Sequence, residues 1–214
     1  MKYIIISGID GSGKTTIIKK LQERLEAKGF KVRYEWLRYN HMLVKPVHGL
    51  CRLIKLSRRY KTHHGYIWRH EFYRNQLFCS IYIFLTWFDT WFGKLILTLK
   101  LIWKITDFVI CDRWVYDILI DLAVVTRRPL IISGKWHRRY LQILPKNRRQ
   151  YLLIRDTNAI LRVRRENLND PEFVLRQELY EQIMQTDEII IIKNDTTIDK
   201  TVDTIMTDMK KKKL

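Results

Sequence analysis

Tyr3-Ile4-Ile5-Ile6-Ser7-Gly8-Ile9-Asp10-Gly11-Ser12-Gly13-Lys14-Thr15-Thr16 decides how the rest of this chain is read. Its first five residues form a short apolar run that stops at Gly8, which predicts a strand. From Lys14 the apolar residues change period to Ile17, Ile18, Leu21 and Leu25, and Gly29 follows, which predicts a helix closed by glycine. Between the two, Gly8 to Thr15 fits G-x-x-x-x-G-K-[ST] in the strand, loop, helix setting that the pattern needs. Glycines let the backbone curl so that successive amides point at an anion, and the helix N-terminus adds its positive end. The expectation is a loop that binds the triphosphate of ATP or a similar nucleotide, built from Gly8, Asp10, Gly11, Ser12, Gly13, Lys14, Thr15 and Thr16. Lys14 would bridge the transferred phosphate, and the Thr15 hydroxyl would ligate Mg²⁺.

Outward from the loop, Lys31 to Trp36, Phe108 to Cys111, Tyr151 to Ile154 and Ile189 to Ile192 read as further strands. Strands separated by helical stretches predict an α/β protein with a parallel sheet covered on both faces. A final helix from about Thr197, with Ile198, Val202, Ile205 and Met209 inward, ends in the solvated run Lys210 to Lys213, which suits the helix dipole. No repeat or linker divides the chain, so a single domain over residues 1–214 is expected. Phe108-Val109-Ile110-Cys111-Asp112 ends in a carboxylate, which would set Asp112 at the sheet's C-terminal edge near the metal, with Arg113 beside an anionic acceptor. Arg162, Arg164 and Arg165 precede Asn167 to Pro171, a polar break able to act as a hinge. Such arginines either close over phosphates and stabilise spreading charge or form a solvated basic face.

Hydrophobic residues make up 47% of the 214 and charged ones 29%, the mix of a globular protein, but the formal charge is +18. A protein this basic attracts polyanions: nucleotide phosphates, nucleic acid or an anionic membrane surface. The alternative is a charge that serves solubility. Cys51, Cys79 and Cys111 are far apart and odd in number, which predicts neither disulfides nor zinc and points to a reducing compartment. With the loop so near residue 1 there is no room for a cleavable signal, so a cytoplasmic location is expected, with peripheral membrane attachment as an option. Ile81 to Ile105 is rich in Phe, Trp, Leu and Ile, but Asp89, Lys94, Lys100 and Lys104 interrupt it, which argues against a membrane span. Within it Ile81, Leu85, Phe88, Phe92, Leu95, Leu99 and Ile102 recur on one helical seam, with Trp87 and Trp91 on neighbouring faces. That seam requires a cover, either the chain's own core or a second copy in a homodimer. His63, His64 and His70 lack a metal-ligand spacing and read as structural or surface residues.

The Gly8 to Thr16 loop, the Asp112-Arg113-Trp114 block after the third strand and the arginines Arg162 to Arg165 match, in order and spacing, the thymidylate kinases, which this chain resembles. Leu144-Pro145 is a weaker match. The resemblance implies a three-layer P-loop kinase fold, with a five-stranded parallel sheet flanked by helices. It also implies an arginine-bearing lid at about 159–171 and a helical acceptor-side region at about 40–107. It assigns catalysis to Lys14, Asp10, Arg113, Arg162, Arg164 and Arg165, with Asp10 on the acceptor sugar or metal and Arg113 on the acceptor phosphate. Some members carry a catalytic arginine in the loop where this chain has Gly11, so the lid arginines inherit that duty. ATP and Mg²⁺ are the implied cofactors. The departures lie on the acceptor side. Asp117, Ile118, Leu119, Ile120 and Asp121 replace the usual stretch around the acceptor, and Asp89-Thr90 lacks the arginine of the usual Asp-Arg pair. Arg69, Arg74 or Arg58-Arg59 are the nearest substitutes, and Asp117 and Asp121 are expected to repel a phosphate. The reading is an ATP-dependent phosphotransferase with dTMP as leading acceptor. Alternatives are a kinase for another nucleotide, a nucleic-acid end or a membrane-associated alcohol, and a nucleotide-dependent binding module.

Overall fold

The computed structural model describes residues 1–38, 42–62, 65–165, 167, 170, 172–185 and 189–211. The first half runs β1 (Lys2–Ser7), α1 (Lys14–Glu26), β2 (Val32–Trp36), α2 (Val44–Leu53), β3 (Ser57–Thr62), β4 (Gly65–His70) and α3 (Gln76–Ile102). The second runs β5 (Phe108–Asp112), α4 (Val115–Thr126), α5 (Lys135–Leu141), β6 (Arg148–Ile154), α6 (Thr157–Val163), α7 (Glu172–Ile183), β7 (Ile190–Lys193) and α8 (Ile198–Lys211). The five strands expected from the sequence form one sheet in the order β2-β5-β1-β6-β7. Its pairings are parallel throughout, with Ile6 opposite both Asp112 and Tyr151.

Alternation along the central strands feeds two cores. Ile4 and Ile6 of β1 join Ile17, Leu21 and Leu25 of α1 and Val202, Ile205 and Met209 of α8 on one face. Tyr3 and Ile5 join α3, α4 and α7 on the other. A strand buried on both sides has no polar alternation to show, which is why these segments read as continuous apolar runs. All three cysteines are buried and free.

The stretch from 40 to 107 is less purely helical than expected, because β3 and β4 form an antiparallel hairpin that belongs to no other sheet. After it Asn75 caps α3, its side-chain oxygen accepting from the amides of Leu77 (3.0 Å) and Phe78 (3.2 Å). Of the expected seam on α3, the chain's own core partly covers Leu85, and Phe92 is half-buried. Ile81, Phe88, Leu95, Leu99 and Ile102 are exposed, while the buried face carries Cys79, Tyr82, Ile83, Thr86, Asp89, Thr90, Leu97 and Leu101. The inner face tolerates polar groups because each is satisfied. Thr86 and Thr90 donate to carbonyls one turn back, at 2.8 and 2.7 Å. Asp89 accepts from the amides of Leu43 and Val44, capping α2. No described helix is long and apolar enough to cross a membrane. His63 and His64, Leu168, Asn169 and Pro171 of the expected hinge, and Lys212 and Lys213 lie outside the described residues.

Candidate active site

The loop between β1 and α1 turns through three left-handed glycines, Gly8 at φ 145°, Gly11 at φ 91° and Gly13 at φ 90°. Side chains are excluded here by space as well as by backbone strain. A Cβ at Gly13 would lie 2.4 Å from Nδ2 of Asn194, and one at Gly11 would lie 2.9 Å from Ile160. An arginine inside this loop therefore has no place beneath α6. Asn194 donates to the carbonyl of Ser12 at 2.7 Å and accepts from Thr201 at 3.1 Å, bracing the loop from the last strand.

Lys14 is buried, and its ammonium donates to the carbonyls of Gly8 and Ile9, both at 2.7 Å. Burial, with Arg113 adding to it, pulls its amine down to about 7. A phosphate arriving beside it would restore the usual preference for the charged form. Arg113, itself in the left-handed region at φ 63°, donates to the Gly8 carbonyl (3.1 Å), to Asp117 (2.8 Å) and to Asp10. Asp112, at the C-terminal end of β5, accepts from the Tyr34 hydroxyl at 3.0 Å. Burial raises its carboxyl pKa more than Tyr34, Lys14 and Arg113 lower it.

These groups meet at one cavity of about 430 Å³, lined by Asp10, Gly11, Gly13, Lys14, Thr15, Thr16, Trp36, Arg38, Asp112, Arg113, Arg155, Val163 and Arg164. Of the three arginines expected in a lid, Arg164 lines it. Arg162 and Arg165 are exposed and do not. A buried carboxylate whose charge is disfavoured gains from a nearby cation, and Thr15 and Asp10 share the cavity with it. That donor set suits Mg²⁺, which takes one or two carboxylates and draws its other oxygens from water and substrate phosphates. Among the described residues no cluster of three or more His, Cys, Asp or Glu side chains is set to hold an ion alone.

Three residues at this site escaped the sequence reading: Asn194, Arg155, whose guanidinium reaches the Gly11 carbonyl at 3.4 Å, and Arg38. Arg38 also lines a second cavity of about 260 Å³ with His48, His70, Tyr82, Thr86, Ile118, Asp121, Leu122, Val125 and Arg176. The two cavities thus share this arginine. Beside the second one, His48 stacks on His70 with centroids 4.2 Å apart, and His70 bonds the Ser57 hydroxyl at 2.7 Å. Burial, with Arg52 adding to it, lowers His70 to about 4.

The expectation that Asp117 and Asp121 meet an acceptor as bare charges does not hold. Asp117 accepts from Arg113 and from the Tyr180 hydroxyl, both at 2.8 Å. Asp121 is clasped by Arg38 and Arg176. Burial alone would raise Asp121, but the two arginines outweigh it and hold the carboxyl at about 2. Among the suggested substitutes for the missing arginine, Arg58 and Arg74 pair with Glu71. The side chain of Arg69 lies outside what the structure describes. Thr90 is buried inside α3 packing and lines neither cavity.

No family model matches the chain. A 45-residue stretch is 44% identical to a probable thymidylate kinase of Staphylothermus marinus. It covers 21% of this chain and 23% of that protein. The likeness is local and confined to that stretch.

Proposed function

We propose that the protein is an ATP-dependent phosphotransferase of the thymidylate kinase-like class that moves the γ-phosphoryl group to a nucleotide-like acceptor. The observation that carries this reading is the meeting of a donor cavity and a second cavity at Arg38, with Lys14, Arg113, Arg155 and Arg164 around the first. A donor triphosphate cradled by the loop amides would have its transferred group between Lys14 and the arginines. An acceptor seated in the second cavity would present its oxygen past Arg38. Transfer then rests on positioning and on charge already oriented in the site, with no covalent intermediate. Mg²⁺, held by Thr15 and Asp112 with Asp10 in reach, would neutralise charge between the β- and γ-phosphates when bound.

Among single acceptors dTMP leads, on the resemblance and the local identity to a probable thymidylate kinase. Another acceptor is favoured by one observation: Arg38 and Arg176, the cations of the second cavity, are both engaged by Asp121. A monophosphate would have to compete with that carboxylate for them. The test is ADP release from ATP and Mg²⁺, with dTMP, UMP, dUMP, thymidine, oligonucleotides and lipid extract as acceptors. Stimulation by one of them identifies the substrate. ATP binding without turnover on any would replace the enzyme reading with that of a nucleotide-dependent binding module.

A further inference from the structure

The outer face of α3 is more apolar than its inner face. Leu77, Ile81, Phe84, Phe88, Trp91, Leu95, Leu99 and Ile102 are all exposed and follow one another at steps of three and four. They make a single stripe along a helix of 27 residues, about 40 Å long. Trp103 and Ile105 extend it, exposed to 90% and 80%. Stripes of this size on a soluble surface mark an interaction face.

The charge around the stripe identifies its occupant. Segments 44–62, 76–105 and 127–155, which carry α2, β3, α3, α5 and β6, hold eighteen Lys and Arg and one acid, Asp89. That acid is buried and spent on capping α2. The rest of the chain has 22 Lys and Arg against 21 Asp and Glu, so nearly all of the +18 lies in these three segments, although Arg58 pairs with Glu71, Arg149 pairs with Asp208 and Arg155 faces the donor cavity. Trp87 of α3 meets the carbonyl of Arg139 on α5 at 3.5 Å. Lys94 is lowered by burial and by the nearby positive charge of Arg148. A second copy on this face would bring like charge against like charge with no exposed carboxylate from these segments to offset it. A nucleic-acid backbone would satisfy the cations but leave the Leu, Ile and Phe stripe without a partner.

We infer that α3 lies flat on an anionic lipid surface, with its stripe in the acyl boundary and the surrounding Lys and Arg on lipid phosphates. A helix with this distribution binds in the plane of the interface instead of spanning it, in keeping with the interruption of the apolar segment by Asp89, Lys94 and Lys100.

The experiment is co-sedimentation of the full chain with phosphatidylcholine vesicles, with or without roughly 30% phosphatidylglycerol, at low and at physiological salt. Phe84→Asp/Trp91→Asp is the test variant; both side chains are exposed, at 49% and 45%, and circular dichroism checks its fold. Binding to the anionic vesicles, weakened by salt and reduced at least about tenfold in the variant, is expected. Absence of binding at low salt overturns the inference, as does binding that the variant leaves unchanged, which would reduce the contact to charge alone. A salt-stable dimer in sedimentation equilibrium that the variant dissociates would assign the stripe to a second copy. Tighter binding to an oligonucleotide than to the vesicles would assign the cations to nucleic acid.

Discussion

Arg38 and Asp121, 83 positions apart, form a two-pronged ion pair, Nε to Oδ2 at 2.8 Å and Nη2 to Oδ1 at 3.0 Å. Arg176 closes on the same carboxylate from α7. The clasp ties the end of β2 to α4 and α7 at the wall between the two cavities.

Asp121→Asn removes the charge that both guanidinium groups face and should destabilise the fold by about 2 kcal/mol or more at neutral pH. The sign of the pH dependence follows from a depressed carboxyl. The folded state holds Asp121 at about 2, below its unfolded value near 3.9. Its contribution is therefore complete above roughly pH 4 and lost as pH falls toward 2. Denaturant titrations of both forms across that range check this; parallel curves would remove Asp121 as the cause.

His70 gives a pH dependence of the same sign in a higher window. Because burial lowers it to about 4, the unfolded chain binds more protons than the folded one between roughly pH 6.5 and 4. Stability should fall with acidification through that window. His70→Gln should flatten this part of the Tm against pH profile, and an unchanged slope would place the responsible group elsewhere.

Lys14→Ala should lower acceptor-dependent ADP release by about 10²-fold or more if the ammonium acts on the transferred phosphate as proposed. The loss of its bonds to the Gly8 and Ile9 carbonyls should also loosen the empty loop, visible as faster amide exchange there. Undiminished ADP release would show that the donor binds elsewhere.

Among Arg162, Arg164 and Arg165 the geometry separates one from two, since Arg164 alone of the three lines the donor cavity. Arg164→Ala should depress kcat by roughly tenfold or more if its charge acts on the transition state. Arg162→Ala and Arg165→Ala should stay within a factor of about three. Equal losses in all three, measured as kcat and KM for ATP, would mean that the segment rearranges before transfer.

Gly13→Ala asks for a left-handed alanine whose Cβ meets Asn194. Nucleotide affinity should fall at least about tenfold, because the loop amides and the helix N-terminus lose their joint aim at the phosphates. Asn194→Gly alongside it should recover part of the loss by removing the clash; calorimetric titration of the single and double variants tests this.

The parts legible in sequence are those where neighbours in the chain are neighbours in space. Strand, loop and helix around Lys14 are contiguous, and Asp112 was found because a strand's C-terminal edge is a place where ligands collect. The same rule, applied to Ile154-Arg155 and to Trp36-Leu37-Arg38, would have found the two missed arginines. Asn194 had no such signal, since its bond to Ser12 spans 182 positions. The period of the α3 seam is legible in the sequence, but what covers it is not, and the sequence leaves the core and a second copy open as covers. Periodicity reports that one face differs from the other, and the polar residues on the inward face are compatible with burial. Thr86, Asp89 and Thr90 could be buried because each finds its partner nearby.

The brace from Asn194 has a consequence for how the protein is made. β1 and the phosphate loop are made before the other elements described here, yet β1 sits between β5 and β6 in the sheet and the loop is held by a side chain beyond β7. The loop therefore waits for a partner 182 positions further along the chain before it can take its final shape. Chains stalled anywhere before residue 194 should not yet capture nucleotide, and during that wait the apolar first strand is the segment most in need of a chaperone.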